Sequence, residues 1–398
     1  MAFFSNDAVN RVNFHYGVFA LAAGAGGVFF LAYLLRAGLS APVAMTVMAA
    51  IVALRFLIRP VVLPLAKRWG LKPMVIIGAV GMAGQYPLLA EVHGLGPSLA
   101  AMITVASAGD TFYWSSYHAY FASIGDAEHR GHQVGAREAL AAVVGVIAPL
   151  LGAWALVTAG PRWTFAGVAL IQALSAVPLL GAPNVRIAAT APGAFRAARQ
   201  GIALFMSDGW LAACYYFIWQ IALFISLGRS VAAYGGAMAL AALVGAAVGL
   251  LFGRHIDRGH GRRAVVLAYG VAAAVVLLRA ASLGSPWLAV AANAAGALVS
   301  ALVLPAMMTA VYNLAKASPC ALRFHIAAEG GWDIGCGAGC LVTAAIGAAG
   351  GSLAFAMLLA LAGAAASTWL LWRYYGANPG VGGVEIEAPL AAETHAPP

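Results

Sequence analysis

Stretches of predominantly apolar residues, each about 20 residues long and so able to cross a bilayer, follow one another along the whole chain. Glycines, prolines and clusters of charged residues interrupt them. The connections are short except for residues 184–206, between the sixth and seventh stretches. The pattern predicts an all-α integral membrane protein with twelve spans, at residues 13–35, 42–65, 73–92, 98–122, 134–158, 163–183, 208–227, 232–253, 264–283, 286–315, 328–348 and 352–375.

The long connection divides the chain into two similar parts. We predict an N-terminal six-helix bundle (1–183), a cytoplasmic linker (184–206), a C-terminal six-helix bundle (207–376) and a disordered tail (377–398) rich in Gly, Pro and Ala. Arg68 and Arg258 follow corresponding spans of the two parts, as Glu138 and Glu329 precede corresponding spans. Their separations are 258 − 68 = 190 and 329 − 138 = 191 residues, which favours duplication of a six-span unit.

The distribution of charge predicts the orientation. Of the 22 Lys and Arg residues, 17 fall at the ends that also hold the termini, including Arg59 and Arg68. Only Arg36, Arg162 and Arg229 fall at the opposite ends. Because basic residues concentrate on the cytoplasmic side, we expect both termini in the cytoplasm and the protein in the inner membrane.

Composition excludes several classes of function. With 63% hydrophobic and 9% charged residues, the chain is not a soluble globular protein, in which about 25% are charged. The net charge of +9 is explained by topology and not by nucleic acid. No P-loop is visible, so ion or solute gradients, not ATP, would drive any transport. We expect no cofactor and no metal, and we expect reduced, packed thiols at the four cysteines.

The fourth predicted span carries a polar face inside an apolar segment. Asp110 lies near the middle of Ser98–Ser123, a segment that we expect to be long and apolar enough to cross a membrane. A carboxylate at the bilayer centre costs at least a few kcal/mol, so it needs a partner or a wet cavity. Helical spacing places six residues on its face: Asp110, Tyr113, Trp114, Tyr117, His118 and Phe121.

Each member of this face has a functional and a structural interpretation. Asp110 could bind a proton in one facing state and release it in the other, or it could form a static pair with Arg55 in span 2. His118 could relay protons or contact ligand, since histidine titrates near neutral pH, or it could pack and donate to a carbonyl. The three aromatic residues between them could line a cavity or pack.

Further intramembrane polar residues suggest a pathway between the two bundles. Gln220 and Asn293 are candidates for a cavity, although such amides commonly join helices. Asp333 lies one turn deeper than Glu329 and is a candidate for the proton pathway. For Glu138 and Glu329, at the inner ends of spans 5 and 11, helix capping is the alternative.

Three other polar residues have structural interpretations. We expect Asp208 to cap the N-terminus of span 7, and His15 to lie at the membrane interface at the start of span 1. Arg279, in the outer part of span 9, is expected to extend its guanidinium to the interface.

The loop after span 8 carries a family resemblance. Gly253-Arg-His-Ile-Asp257-Arg258-Gly-His-Gly261-Arg262-Arg263 resembles the signature loop of the major facilitator superfamily, G-x-L-x-D-R-x-G-R-R, with one extra residue before the second motif glycine. The copy after span 2, which contains Arg68, has Lys at position 67 where the family has Asp. The resemblance implies two six-helix bundles related by pseudo-two-fold symmetry, with these loop residues and Glu138 and Glu329 taking part in gating.

Span 5 is similar to the antiporter motif of the same family, a series of glycines that ends in G-P-x-x-G-G. The span contains Gly135 and Gly145; Gly135, Pro149 and Gly152 match the motif, whereas Val144, Ala148 and Ala153 replace expected glycines. The resemblance implies a bent, closely packed helix, and it favours export by antiport slightly over import by symport or uniport.

Taken together, these patterns predict a monomeric secondary transporter that moves a small organic solute by alternating access, coupled to protons or another ion. Two alternatives belong to other classes. A membrane enzyme acting on lipid would need a catalytic cluster near one interface, where Glu138, Arg137, His132 and His129 are the nearest approach. A non-transporting sensor could keep the same fold.

Overall fold

A computed structural model of the protein describes residues 6–124, 130–256 and 261–378, and in these residues the long elements are all helices. Short 3₁₀ turns bend the first two helices, and a π-helical turn, Ala212–Phe217, widens the seventh. The twelve long helices are α1 Asp7–Arg36, α2 Ala41–Trp69, α3 Leu71–Ala90, α4 Pro97–Ile124, α5 Arg130–Thr158, α6 Gly160–Leu180, α7 Arg199–Ser226, α8 Val231–Ile256, α9 Gly261–Ala281, α10 Pro286–Ala317, α11 Ala321–Ala348 and α12 Leu353–Ala377.

Eleven candidate spans in the described residues are long and apolar enough to cross a membrane. The helix missing from that set is α4, which has 28 residues. The segment of α4 is therefore less apolar than we expected, although its 28 residues are long enough to span. The cause is the polar face itself, because Asp110, His118 and several Ser and Tyr residues lower the hydropathy of a helix that is otherwise long enough to span.

The two halves of the chain repeat one arrangement. Each helix of α7–α12 begins 189 to 193 residues after its counterpart in α1–α6, from 286 − 97 = 189 for α10 and α4 to 353 − 160 = 193 for α12 and α6. This regular offset confirms the predicted pair of six-helix bundles with pseudo-two-fold symmetry.

Helices α7 and α11 begin well before their predicted starts, and this corrects two residue assignments. Because α7 begins at Arg199, the last residues of the predicted linker are helical and Asp208 lies well inside the helix, where it accepts a hydrogen bond from Trp332. Because α11 begins at Ala321, Glu329 lies two turns inside it and is buried. Neither carboxylate caps a helix.

The two halves touch near both ends of the bundle. We call the end at which α1 begins and α12 ends the termini end, and the opposite end the far end. At the far end, Tyr234 of α8 donates to the carbonyl of Val28 in α1 at 3.1 Å. At the termini end, Tyr312 of α10 and His118 of α4 are joined by a 3.4 Å hydrogen bond.

Small residues let α5 pack closely against α1 of the first half and α8 of the second. A Cβ on Gly152 would lie 2.8 Å from the carbonyl carbon of Ala25 in α1, and one on Gly145 would lie 3.4 Å from Cβ of Ala242 in α8. Pro149 lies inside the same helix, as does the backbone of Gly135. The glycines that resemble the antiporter motif therefore lie in the helix that joins α1 to α8.

Candidate functional site

Two arginines of α2 lie in the interior of the bundle. Arg55 is the central residue of this 29-residue helix, and Arg59 lies one turn further toward the termini end on the same face. Their exposed fractions are only 7% and 3%. Our assignment of Arg59 to the cytoplasmic end was wrong. Its spacing of four residues from Arg55 could have indicated that both arginines lie on the same buried face of the helix. A buried guanidinium in a membrane helix requires partners.

Arg55 contacts carboxylates from both halves. Its Nη1 donates to Asp110 Oδ2 of α4, so the ion pair that forms the structural interpretation of Asp110 is present. Its Nη2 donates to Glu329 Oε2 of α11 at 3.3 Å. Its Nε lies 3.1 Å from Asp333 Oδ1, an ion contact without hydrogen-bond geometry. Arg55 is therefore shared between the first and second halves.

Arg59 makes the stronger link to the second half. Its Nε donates to Asp333 Oδ2 at 3.0 Å, and its Nη2 donates to the same oxygen. Its Nη1 donates to Ser115 Oγ of α4 at 2.8 Å and lies 3.9 Å from Glu329 Oε2. Because Asp110, Arg55 and Asp333 all lie near the middle of helices of 28 or 29 residues, this cluster lies midway through the bundle.

A fourth carboxylate lies behind Trp332 of α11. The indole Nε1 donates to Asp208 Oδ2 of α7 at 3.1 Å, and the centroid of the indole lies 5.2 Å from the guanidinium carbon of Arg55. Trp332 therefore separates Asp208 from the cation that would otherwise attract it.

The charges of the cluster do not balance. The two guanidiniums face three carboxylates, those of Asp110, Glu329 and Asp333, so full ionisation leaves one negative charge in a buried site. Buried charges of one sign in excess favour the uptake of a proton by one member of the group. The arrangement can therefore hold one proton between two helical bundles.

Asp110 is the member of the cluster with the most contact with solvent. Its side chain is 18% exposed, against 9% for Glu329 and 0% for Asp333. One and two turns further along α4 lie Trp114 and His118, and the ring of His118 lies 5.7 Å from that of His325 in α11. Sequence reasoning missed His325, although its i, i+4, i+8 spacing with Glu329 and Asp333 places all three on one face.

Tyr113 and Tyr117 do not share the environment of Asp110. Both are buried within the first half. Tyr113 bonds through its hydroxyl to His15 Nε2 at 3.0 Å and stacks on Phe19 with centroids 4.3 Å apart. His15 is itself fully buried and bonded to the carbonyl of Ser175. The interfacial placement of His15 was therefore wrong, and only part of the predicted face of α4 meets the second half.

The buried polar residues of the second half make contacts between helices, which is the structural interpretation given above for Asn293. Asn293 accepts from Trp219 Nε1 at 3.0 Å and donates to the carbonyl of Ala237 at 2.9 Å, which joins α10 to α7 and α8. Gln220 is buried near Tyr216. Arg279 is buried as well, with 5% exposed. Its predicted extension to the interface was wrong.

The signature loop is only partly described. Asp257 and Arg258 lie outside the described residues, as do the side-chain environments of Gly253 and Glu138. Gly261 begins α9, and Arg262 donates to the carbonyl of Trp372 in α12 at 3.0 Å. Arg263 and, in the last turn of α2, Arg68 are exposed at the termini end.

Comparison with known proteins assigns the fold to a family. The sequence profile of the Major Facilitator Superfamily matches residues 14–227, more than half of the 398 residues. The chain belongs to the Major Facilitator Superfamily.

Solved structures of this superfamily resemble the chain over nearly its whole length. The transporter FucP in the outward conformation has a TM-score of 0.65 at 14% identity, with 94% of this chain and 99% of FucP covered. A POT family transporter in complex with a thioalcohol-conjugated peptide has a TM-score of 0.61 at 10% identity, covering 94% of this chain and 96% of the other. No curated protein sequence matches the chain.

Membership of the Major Facilitator Superfamily, with transporters as structural neighbours, identifies a multi-pass membrane transporter and not a membrane enzyme. At this level of identity the neighbours share the fold alone, so the substrate must be argued from the residues of this chain.

Proposed function

We propose that this superfamily member is a proton-coupled secondary transporter that moves a small organic solute by alternating access. The observation that carries the proposal is the excess of one carboxylate in the buried cluster of Arg55, Arg59, Asp110, Glu329 and Asp333. A fixed structural cluster would be expected to balance its charges, since an uncompensated buried charge is costly.

Asp110 is the proton-binding group in this proposal. It is the most exposed carboxylate of the cluster, and it competes with the two α11 carboxylates for Arg55. When Asp110 is ionised it holds Arg55 within the first half, which weakens the link between halves. When Asp110 is protonated, Arg55 turns wholly to Glu329 and Asp333, and the α2–α11 contact strengthens.

This competition couples protonation to the direction in which the bundle opens. The α2–α11 contacts must part before the termini end can open, because Arg59 and Asp333 lie on opposite halves. Loss of the proton therefore favours opening at the termini end, and its uptake favours closure there. His118 and His325 lie between the cluster and that end and provide a route for the proton.

The small-residue packing of α5 supports export by antiport as the preferred direction. Gly145 and Gly152 bring α5 against α8 and α1, as expected for the antiporter-like motif. Import by symport or uniport is the second candidate, since the same cluster can couple either direction. Flux of an identified solute under an imposed pH gradient of either sign separates the two.

We propose a monomer in the inner membrane with both termini cytoplasmic, and the distribution of Lys and Arg supports this orientation. A C-terminal fluorescent fusion that is active in the cytoplasm tests the orientation, and a C-terminal alkaline phosphatase fusion with high activity would contradict it.

Proton binding can be tested without knowing the solute. Purified protein in liposomes on a solid-supported membrane is given a step in external pH, and the displacement current is recorded. We expect a transient current in the wild type and its loss in Asp110→Asn. Asp7→Asn is the matched control, because Asp7 also pairs with an arginine but is exposed at the termini end. A full current with an unchanged pH profile in Asp110→Asn would remove Asp110 from the mechanism.

A further inference from the structure

A groove at the termini end of the second half lies between the start of α7 and the end of α12. Its volume is about 340 Å³, near the lower end of the range of about 300 to 1,000 Å³ for ligand sites. The lining includes Gln200 of α7 and, from the end of α12, Trp369, Leu370, Arg373 and Asn378. None of these residues belongs to the ion cluster, so the groove is separate from the candidate site described above.

Arg373 places a cation in this groove beside an exposed aromatic ring. Its guanidinium carbon lies 4.9 Å from the ring centroid of Trp369, which is 56% exposed. Arg373 is exposed as well, and no carboxylate of the described chain lies within ion-pair distance of it. Because tryptophan rings concentrate at the level of the lipid headgroups, this pair of side chains indicates that the groove lies at the membrane interface.

A second arginine lies on the α7 side of the groove. The short helix Ala194–Ala197 runs into α7, because Ala198 between them also has the right-handed helical conformation. Arg196 is exposed and precedes Gln200 by four residues, so both side chains lie on one face of this helix. Arg196 therefore extends the polar wall of the groove away from the middle of the bundle.

The segments on both sides of the groove carry charge of one sign. No Asp or Glu occurs in residues 184–207 or in residues 353–378. The two segments contain four arginines: Arg186, Arg196, Arg199 and Arg373. Basic residues at a membrane surface attract anionic lipids, and here no acidic residue of the same segments opposes that attraction.

We propose that this groove binds an anionic phospholipid of the adjacent leaflet. A guanidinium fork matches two oxygens of a phosphate group, so Arg373 and Arg196 hold the phosphodiester. The side-chain amide of Gln200 can donate to the same headgroup. Trp369 lies one turn before Arg373 in α12, toward the middle of the membrane, so its ring and that of the lipid-facing Leu370 position contact the acyl chains. The site is independent of the proposed proton coupling.

The lipid site would act on the helix that supports the ion cluster. The first turns of α7 pack against α11, since a Cβ on Gly331 would lie 3.1 Å from Cγ2 of Ile202. Glu329 and Asp333 lie on either side of Gly331 in the chain. A lipid bound at the start of α7 therefore stabilises the helix against which α11 rests.

The test uses purified full-length protein in detergent, with phosphatidylglycerol as the anionic probe and phosphatidylcholine of the same acyl chains as its zwitterionic counterpart. Native mass spectrometry counts the bound lipids, and thermal unfolding reports their effect. We expect phosphatidylglycerol, but not phosphatidylcholine, to be retained and to raise the melting temperature. Arg373→Gln should weaken the apparent affinity about fivefold, the contribution of one basic residue near an anionic surface. Adding Arg196→Gln should weaken it further.

Fluorescence quenching locates the bound lipid. Phosphatidylglycerol with brominated acyl chains quenches tryptophans that it contacts. We expect stronger quenching in the wild type than in Trp369→Phe. Equal quenching in both proteins would place the lipid elsewhere and overturn the assignment.

Two control variants separate this site from other effects of charge. Lys316→Gln removes one exposed positive charge from the last turn of α10, at the same end of the second half, and should bind phosphatidylglycerol as the wild type does. Asp110→Asn should also retain lipid binding, so failure of the lipid site and failure of proton coupling are distinguishable.

Three other results would overturn the proposal. The first is equal affinity for phosphatidylglycerol in the wild type and in the variant that carries both Arg196→Gln and Arg373→Gln. The second is an equal thermal shift with phosphatidylcholine or with glycerol phosphate, which would indicate general lipid contact or a site for soluble anions. The third is lipid binding that appears only after Glu385, Glu387 and Glu393 are changed to Gln, which would assign the groove to the acidic tail of this chain.

Discussion

Two single variants, each of which neutralises one carboxylate of the cluster, should have opposite effects on the opening of the termini end. Asp333→Asn removes the principal partner of Arg59 and one partner of Arg55, both of which link α2 to α11. Asp110→Asn instead removes the competitor that holds Arg55 within the first half. We therefore expect Asp333→Asn to open the termini end and Asp110→Asn to hold it closed.

The magnitude follows from the distances. At an effective dielectric constant of about 20, two unit charges 3.1 Å apart, as for Arg55 Nε and Asp333 Oδ1, attract by about 5 kcal/mol. If the closed arrangement alone contains this contact, Asp333→Asn shifts the closed-to-open ratio by roughly two orders of magnitude or more, since each 1.4 kcal/mol or so is tenfold.

The assay is a distance measurement between the halves. Spin labels on cysteines at positions 68 and 316 report on the ends of α2 and α10, where Arg68 and Lys316 are exposed. The background replaces the four native cysteines. Pulsed electron-electron resonance should show a longer distance in Asp333→Asn and a shorter or unchanged one in Asp110→Asn, with Asp7→Asn as control. Shifts of the same sign in both variants, or in neither, would refute the competition for Arg55.

Three further outcomes follow from contacts elsewhere in the fold. Gly152→Val should lower stability by about 1 to 3 kcal/mol through overpacking. Its control is Gly167→Ala, which should be neutral or slightly stabilising because no atom lies near that position. Thermal unfolding in detergent compares the two variants. His325→Phe should raise stability by about 1 kcal/mol, because neither buried ring nitrogen has a hydrogen-bond partner in the described chain, and a large fall in melting temperature would contradict this. The hydrogen bond from Arg162 lowers the pKa of Glu91. The stabilisation of the folded protein by this pair is therefore fully present above the pKa that Glu91 has in the unfolded chain. It is lost as the pH falls through the lower pKa that Glu91 has in the folded protein. The melting temperatures of wild type and Glu91→Gln should therefore converge on acidification from pH 6 to about pH 3, and a difference that persists there would count against the pair.

Hydropathy predicted the architecture because it is a local property. The twelve spans and the duplication follow from apolar runs and from landmarks repeated along the chain. Asp110 was identifiable for the same reason, as one charge inside an apolar segment. The start of α11 was hidden, because Arg323, His325 and Glu329 make its first turns polar although they are buried.

The partners of the cluster could not be derived from the sequence. Arg59 precedes Pro60 and stands near the basic end of α2, which is why it was placed at the membrane surface. Its burial depends on Asp333, 274 residues away in the chain. Arg279 was misplaced for a similar reason: an arginine near a helix end extends to water unless aromatic rings and a carbonyl from another helix receive it. Such pairings are set by tertiary packing, which no local pattern contains.

The ion cluster has a consequence for how the protein is made. Its arginines are synthesised early and two of its carboxylates late, since α2 and α11 lie at opposite ends of the chain. Until α11 is inserted, the nascent first half carries two guanidiniums with only Asp110 to neutralise them. A chain released before α11 is inserted would leave Arg59 without its Asp333 partner, so we expect the separate halves to be less stable than the full chain and truncated chains to be cleared by membrane proteases.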